Sequence, residues 1–437
     1  MSQSARREFL KAAGVGAMAL TASSQTAQAS ANERVTLAII GPGGMGSSHT
    51  RLLSARKDVE IKYVCDVDNQ RTAKAAELVA SSSGRKPEQL GDMRRVFDDK
   101  EVDAVFIATP DHWHAPATLL ALDAGKHVYV EKPCCHNIRE GRLMSDAVAR
   151  TGKCLQVGTQ SRSTRVIEDA MKRIHNGEIG EVLVAKAWNS QRRRSIGKTS
   201  PGQPPKHLDF ENWIGPAPSV DYRTNLLHAN WRWWHDFGCG DIGNDGVHDI
   251  DVALWGLGVD THPSTATCLG GKYFFDDDQQ FPDTQYAVFE YPTKGAPAGR
   301  SKQLIFEQRI WSPYKQEGYE NGATFYGTDG ILILGHTQGW KMYGPRMKLL
   351  AENSGPVELA RHHTNFLDCL RGTQTVLNAD IKAGHLAATI VHLANIAART
   401  GSVLQFDPER ETITNNEGAN QLIRRQYRTH WGTPQGV

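Results

Sequence analysis

The residues best suited to chemistry begin with Gly41-Pro42-Gly43-Gly44-Met45-Gly46, which follows the apolar run Val35 to Ile40 and opens a segment of helical pattern. In that setting Gly41 permits a tight turn and Gly43 lets backbone approach a pyrophosphate. Gly46 lets the helix pack on the strand, so the helix start that carries Met45 is aimed at the phosphates of a dinucleotide. Asp66 ends the next apolar run. A carboxylate there accepts hydrogen bonds from ribose hydroxyls and repels a 2′-phosphate, which favours NAD, while nearby Arg71 keeps NADP open. A glycine turn without a ligand is the plain alternative.

Two further groups stand at the carboxyl ends of strand-like runs, where open α/β sheets bind their ligands. One is Ile107-Ala108-Thr109-Pro110-Asp111-His112-Trp113-His114, and the other is Glu131-Lys132-Pro133. With Gly158-Thr159-Gln160 and Tyr326-Gly327-Thr328-Asp329-Gly330 downstream, the order GxGxxG, ATPxxxH, EKP resembles the Gfo/Idh/MocA family (glucose-fructose oxidoreductase, inositol dehydrogenase and relatives) from about Val35 to about Arg399. The resemblance implies that Thr109, Pro110, His114, Glu131, Lys132 and Gln160 border the cofactor. It also implies that Lys132 lies beside the nicotinamide and the substrate hydroxyl. An ammonium partly desolvated beside a cationic ring has a lowered pKa and can exchange a proton with an alcohol. A lysine held in a structural ion pair is the alternative.

The segment Gly238 to Asp251 resembles the family's second-domain stretch, in which an aspartate and a histidine four residues later share one helical face in the active site. His248 matches the histidine, but Asn244 stands at the aspartate position. An amide cannot take a proton, so carboxylate assistance would have to come from elsewhere, with Asp241 and Asp251 as candidates. Just upstream, Asn230-Trp231-Arg232-Trp233-Trp234-His235 concentrates aromatic faces that suit a sugar's C–H surface, or an aromatic core. Trp233 and Trp234 are the expected pocket residues, with Tyr222, Arg223 and Asn225 as further substrate-binding candidates. His362-His363 and the His385/His392 pair lack an acidic ligand pattern and read as structural, so no metal is expected.

The elements that must position these residues follow from periodicity. Short apolar runs at 35–40, 60–65, 103–108, 127–131 and 154–157 alternate with helical segments near 44–55, 68–81, 114–125 and 137–151. This predicts an α/β fold with an N-terminal Rossmann, doubly wound parallel sheet over residues 34–158. Residues 159–437 form a C-terminal α+β domain: a helix at 163–176, a strand at 181–188, a loop over 190–220, and strands near 264–269, 284–291, 302–310, 323–327 and 330–334. Those strands predict a large, mainly antiparallel open sheet. Leu386, Ile390, Leu393 and Ala397 then repeat at helical spacing.

The length of 437 residues suits two domains. Residues 1–29 read as a twin-arginine signal peptide: Arg6-Arg7, then an apolar run too short to span a bilayer, then Ala27-Gln28-Ala29 as a cleavage site. Its removal, with Arg6, Arg7, Lys11 and Glu8, takes the formal charge from +2 to neutral, which argues against nucleic-acid binding. The local run Arg192-Arg193-Arg194 fits a solvated loop or an anion site equally well. Seven cysteines without C-x-x-C spacing indicate neither a disulfide framework nor a zinc site. The expectation is an exported, periplasmic enzyme that meets the twin-arginine machinery, keeps no membrane anchor, holds NAD tightly and transfers a hydride to or from a sugar or polyol. An NAD-dependent glycosidase working by oxidation, elimination and reduction is one rival, and a non-catalytic sugar sensor, suggested by Asn244, is another. The resemblance also implies a homo-oligomer built through the open sheet.

Overall fold

Alternate residues of the first strand feed two separate interiors. In β1 (Val35–Ile40), Leu37 and Ile39 enter one apolar cluster while Ala38 and Ile40 enter another, so both faces of the strand are covered. That is the pattern of a parallel sheet wrapped by helices. The computed structural model describes residues 34–292 and 301–437, and the expected signal peptide lies outside them.

The first sheet continues with β2 (Val59–Cys65), β3 (Glu88–Leu90), β4 (Ala104–Ile107), β5 (His127–Val130) and β6 (Leu155–Val157), in the order β3-β2-β1-β4-β5-β6. Every pairing is parallel. The order reverses between β1 and β4, which opens the crevice where such sheets bind ligands. All five predicted strands are present. The short β3 was not predicted, because two of its three residues are exposed and no apolar run marks it.

The second sheet holds β7 (Val182–Asn189), β8 (Thr265–Gly271), β9 (Thr284–Pro292), β10 (Ser301–Arg309), β11 (Asn321–Gly327), β12 (Ile331–Gly335), β13 (Gly339–Gly344), β14 (Lys348–Asn353), β15 (Leu404–Asp407) and β16 (Thr412–Ile413). Its order is β14-β13-β12-β11-β7-β10-β9-β8-β15-β16. Only β7 and β10 run parallel. Helices Arg165–His175, Val247–Leu257 and Ile381–Thr400 share one apolar cluster with inward residues of this sheet. Outward residues stay exposed, Leu269 and Tyr286 among them, directly opposite each other on β8 and β9. The predicted mainly antiparallel sheet is therefore present and longer than expected. Strand β14 escaped notice because its residues are almost all exposed and show no alternation.

Divided by sheet, the chain changes over between β6 and β7. Divided by core, it does not. Phe366 and Leu367 of the helix Leu359–Leu370 complete the cluster around Phe106 and Tyr129, and Ile381 and Ala388 complete the other interior of the first sheet. Residues Val35–Val437 accordingly form one compact unit.

Candidate functional site

The glycine turn is built by close approaches that leave no room for side chains. Gly41 has φ +79°, and a Cβ there would lie 2.7 Å from the Ala108 carbonyl atoms. At Gly46 a Cβ would lie 2.1 Å from the Gly41 carbonyl oxygen, so this glycine stands behind the cleft rather than on its wall. The space above Gly43 is taken by the Arg71 guanidinium. Helix Gly44–Ser54 starts without a side-chain cap, leaving its first N–H groups for a ligand.

This turn borders a cleft of about 590 Å³ that also includes Gly41, Gly43, Met45, Asp66, Thr109, Pro110, His114, Glu131, Lys132 and Gln160. Thr109 Oγ1 and Gln160 Oε1 are buried there with no hydrogen-bond partner among the described residues. Orphaned acceptors and donors of this kind fit a polar ligand, and with the uncapped helix start they fit a dinucleotide. Burial pushes the Asp66 carboxyl up to about 6, against the pull of a hydrogen bond from the Asp68 amide and of the Arg71 charge.

Histidines hold the cleft floor in place from behind. The two ring nitrogens of His114 lie 2.7 Å from the Pro133 carbonyl oxygen and 2.9 Å from that of Thr109, tying the ends of two strands together. Glu131 is buried with His49 Nε2 3.0 Å from its Oε1, and His49 Nδ1 lies 2.8 Å from His363 Nε2. Burial works to raise the Glu131 pKa, but the His49 hydrogen bond and the charges of His49 and Lys132 hold it below the usual range.

At the other end of the cleft, Lys132, Asn244, Asp245 and His248 come together on its wall. Lys132 Nζ donates to the Asn244 main-chain oxygen. The Asn244 side chain is fully engaged: Oδ1 accepts from Arg232 Nε at 2.7 Å, and Nδ2 donates to Asp241 Oδ1 at 3.0 Å. An amide suits this position, because a second carboxylate would face buried Asp241 at hydrogen-bond distance. His248 is buried, and burial followed by the charges of Lys132 and His336 keeps its pKa well below that of a free imidazole, so it is neutral, with its Nδ1 unpaired among the described residues.

The carboxylate beside Asn244 on the cleft wall is neither of the two expected ones. Asp241 is buried behind the wall, bound by Asn189 Nδ2 at 2.7 Å and Arg193 Nε at 3.0 Å. Asp251 is buried against Arg162. Asp245 lines the cleft instead, because residues Ile242–Gly246 form a wider π-helical turn ahead of the helix Val247–Leu257 and bring Asp245 onto the wall beside Asn244. Burial tends to raise its pKa, but Arg193, Lys132 and His336 together lower it, so it is ionised. Arg193, from the undecided arginine run, thus bridges Asp241 and Asp245. His336, which no motif marks, packs its ring edge-on to His248 at 5.1 Å and pairs with Asp249 at 3.0 Å.

The substrate-binding candidates are not on the cleft wall. Trp231 and Arg232 line it, with Trp213, His228 and Ala229, whereas Trp233 is buried on the other side of the short 3₁₀ turn Asn230–Trp233. Trp234 and Tyr222 pack around the aromatic cluster of Trp213, Trp231 and Phe237. Arg223 donates to the Thr199 carbonyl oxygen, and Asn225 Nδ2 donates to Gly197 O at 3.1 Å and Asp278 Oδ2 at 2.8 Å. These three polar or aromatic residues shape the loop that precedes the cleft wall, and spacing alone could not tell which side of a 3₁₀ turn faces inward.

The other histidines sit in hydrogen-bonded packing. His362 Nε2 lies 2.9 Å from the Val157 carbonyl oxygen, and His392 Nε2 3.2 Å from that of Cys135. His385 and His262 both approach Glu411 Oε1, at 2.9 and 3.1 Å, and Arg142 donates to the same oxygen. The guanidinium already supplies the cation for that carboxylate.

Comparison with known proteins agrees with this geometry. Residues 35–159 match the oxidoreductase family NAD-binding Rossmann fold, and residues 186–285 and 327–433 match the same family's C-terminal alpha/beta domain. The chain is 26% identical over 389 residues to scyllo-inositol 2-dehydrogenase (NAD(+)) of Bacillus subtilis, covering 86% of this chain and 98% of that protein. It is 28% identical over 206 residues to a glycosyl hydrolase family 109 protein of Shewanella pealeana, covering 42% of this chain and 45% of the relative. Among solved structures, the aldose-aldose oxidoreductase of Caulobacter crescentus shares the fold, with TM-score 0.65 at 16% identity over 85% of this chain and all of the other. With both domains matched, the chain belongs to the Gfo/Idh/MocA family of NAD-binding oxidoreductases.

Proposed function

We propose that the protein moves a hydride between a hydroxyl-bearing carbon of a sugar or polyol and a nicotinamide cofactor. The observation that carries this reading is the meeting of Lys132, ionised Asp245 and neutral His248 in the same cleft as the glycine turn. Bound nicotinamide would supply the hydride acceptor. Lys132 Nζ, steered by the Asn244 carbonyl oxygen, and the His248 imidazole would handle the hydroxyl proton. Asn244 holds Lys132 through its main-chain oxygen and Arg232 through its side chain, which supports a positioning role there; the non-catalytic sensor is the reading that a substrate panel would select if no cofactor reduction is seen. The name and cofactor of the Bacillus subtilis relative support this class. A panel of sugars and polyols assayed for NADH formation tests it, and no reduction across the panel would overturn it. The glycosidase reading is favoured only by the family 109 relatives; release of nitrophenol from nitrophenyl glycosides without net NADH would select it.

Asp66 is proposed to set the preference for NAD. Asp66→Ser should shift the ratio of KM values for NAD and NADP toward NADP. The wild-type ratio should also depend on pH. Above about 6 the carboxylate is charged and repels a 2′-phosphate, and as pH falls through 6 it is protonated and discrimination declines. A wild-type protein that already prefers NADP at pH 8 would remove Asp66 from this role.

The cofactor is proposed to be retained rather than exchanged. The twin-arginine reading of residues 1–29 implies export of an already folded protein to a periplasm without a free nicotinamide pool. Occupancy at nanomolar free nucleotide requires a nanomolar dissociation constant, about −12 kcal/mol. Cover for such binding would come from the 190–220 loop or from residues 30–34, of which 30–33 lie outside the described residues. The loop supports the idea: Asn69 N donates to His207 O at 3.1 Å and Asp209 N to Val67 O at 2.9 Å, pinning it over the turn that carries Asp66. Turnover would then be ping-pong or redox-neutral. Protein purified, dialysed and denatured should release about one nucleotide per chain; an empty protein with sequential kinetics in added NAD would refute retention. Assembly through the open face carrying Leu269 and Tyr286 is proposed on the same footing.

A further inference from the structure

A second cavity, of about 430 Å³, shares no lining residue with the cleft. It lies between the end of the helix Ile381–Thr400, the stretch 421–426 and the segment His235 to Cys239. Cys239 on its wall hydrogen-bonds Asp111 on the wall of the cleft.

The charge of this cavity is one-sided. Arg399, Arg424 and Arg425 line it against one carboxylate, Asp236. The nearby Glu140 is already committed, accepting from the Tyr427 hydroxyl at 2.7 Å and from the His136 amide at 2.8 Å. Arg425 Nη1 lies 3.2 Å from His136 Nδ1, and its guanidinium lies over the Tyr427 ring at 5.1 Å. Its Nε and Nη2 are buried with no hydrogen-bond partner among the described residues. Because Arg425 can only donate, His136 accepts at Nδ1, and its proton therefore sits on Nε2, which is buried and which the Gly238 backbone approaches without closing a well-formed hydrogen bond. His235 Nδ1 is a further unpartnered buried nitrogen in the same wall. Burial, aided by the Arg425 charge, keeps His136 neutral, and burial with Arg399 lowers His235 to about 4.

Buried donors are costly to leave unpaired, most of all on a guanidinium. Their natural complement is a planar or tetrahedral oxyanion that takes several N–H groups at once. We propose that this cavity is a binding site for a small anion, a carboxylate- or phosphate-bearing metabolite, separate from the substrate cleft. The ligand would accept from Arg425 Nε and Nη2 and from His136 Nε2, with Arg399 and Arg424 adding charge. The proposal does not depend on the reaction assigned to the cleft.

Isothermal titration of the full folded chain tests it, with NAD saturating so that the glycine turn is occupied. Inorganic phosphate and citrate are titrated separately at ionic strength matched with sodium chloride. The expected result is saturable binding of at least one, with a dissociation constant of about 1 mM or tighter, weakened tenfold or more in Arg399→Gln and Arg425→Gln. A response to phosphate alone identifies a phosphate-bearing ligand, and one to citrate alone a carboxylate-bearing one. Arg425→Gln also disturbs His136 and Tyr427 and can unfold the C-terminal stretch; Arg399→Gln leaves those contacts in place and decides the matter alone. No saturable binding by the wild type beyond that of chloride, or unchanged affinity in Arg399→Gln, would overturn the proposal.

Discussion

Lys132→Met is expected to lower kcat by about 10²-fold or more, the scale of general acid–base catalysis, while leaving nucleotide binding intact. Lys132 is half-buried, on the cleft wall, and its ammonium donates to a main-chain oxygen at Asn244 rather than to a carboxylate. The substitution removes one hydrogen bond, worth about 1 kcal/mol of stability, and a charge that helps keep buried Glu131 and Asp245 ionised, while their hydrogen-bonded partners His49 and Arg193 stay in place. Turnover measured at saturating cofactor, beside the nucleotide content of the purified variant, separates chemistry from binding. Activity close to wild type would take Lys132 out of the proton path.

Asp251→Ala is expected to do the opposite, costing about 3–5 kcal/mol of stability and sparing the chemistry of molecules that fold. Arg162 Nε lies 2.9 and 2.8 Å from the two oxygens of fully buried Asp251, and the same guanidinium lies over Trp255 at 5.1 Å. Burial raises the Asp251 pKa while Arg162 pulls it down, so the substitution leaves a guanidinium without its counter-charge in the interior. The midpoint of urea denaturation, read beside kcat per active site, checks this. Unchanged stability with a fall in kcat like that of Lys132→Met would show that Asp251 serves the reaction after all.

What could be read from the sequence were the residues whose function requires local geometry. Gly41, Gly43, Asp66, Thr109, His114 and Lys132 follow strands directly, so a motif and the end of an apolar run place them together, and all of them border the cleft. Asp245 stands three residues before His248, a spacing that shares a helical face, but the motif marks the position four residues before, which is Asn244, so nothing in the pattern singles Asp245 out. His336 follows the end of β12 and meets His248 only through tertiary packing, which carries no local signal. Trp231 rather than Trp233 or Trp234 lines the cleft for a related reason: a cluster of tryptophans marks an aromatic patch, but its inward side is set by packing against Trp213 and Phe237. Strand β14 had no alternation to read, since it lies at the sheet edge with little of it covered.

The return of the helix Leu359–Leu370 to the first sheet limits how a bound nucleotide could leave. Phe366 and Leu367 are buried beside Phe106 and Tyr129, and His363 touches His49 on the helix that the glycine turn begins. Swinging the two sheets apart like jaws would strip apolar contacts from both halves and break the histidine chain to Glu131. The strap of residues 206–213 is held more lightly, its backbone stitched to Val67 and Asn69 by two hydrogen bonds. Peeling that strap would leave the apolar clusters of both sheets intact, a fraying event rather than a hinge.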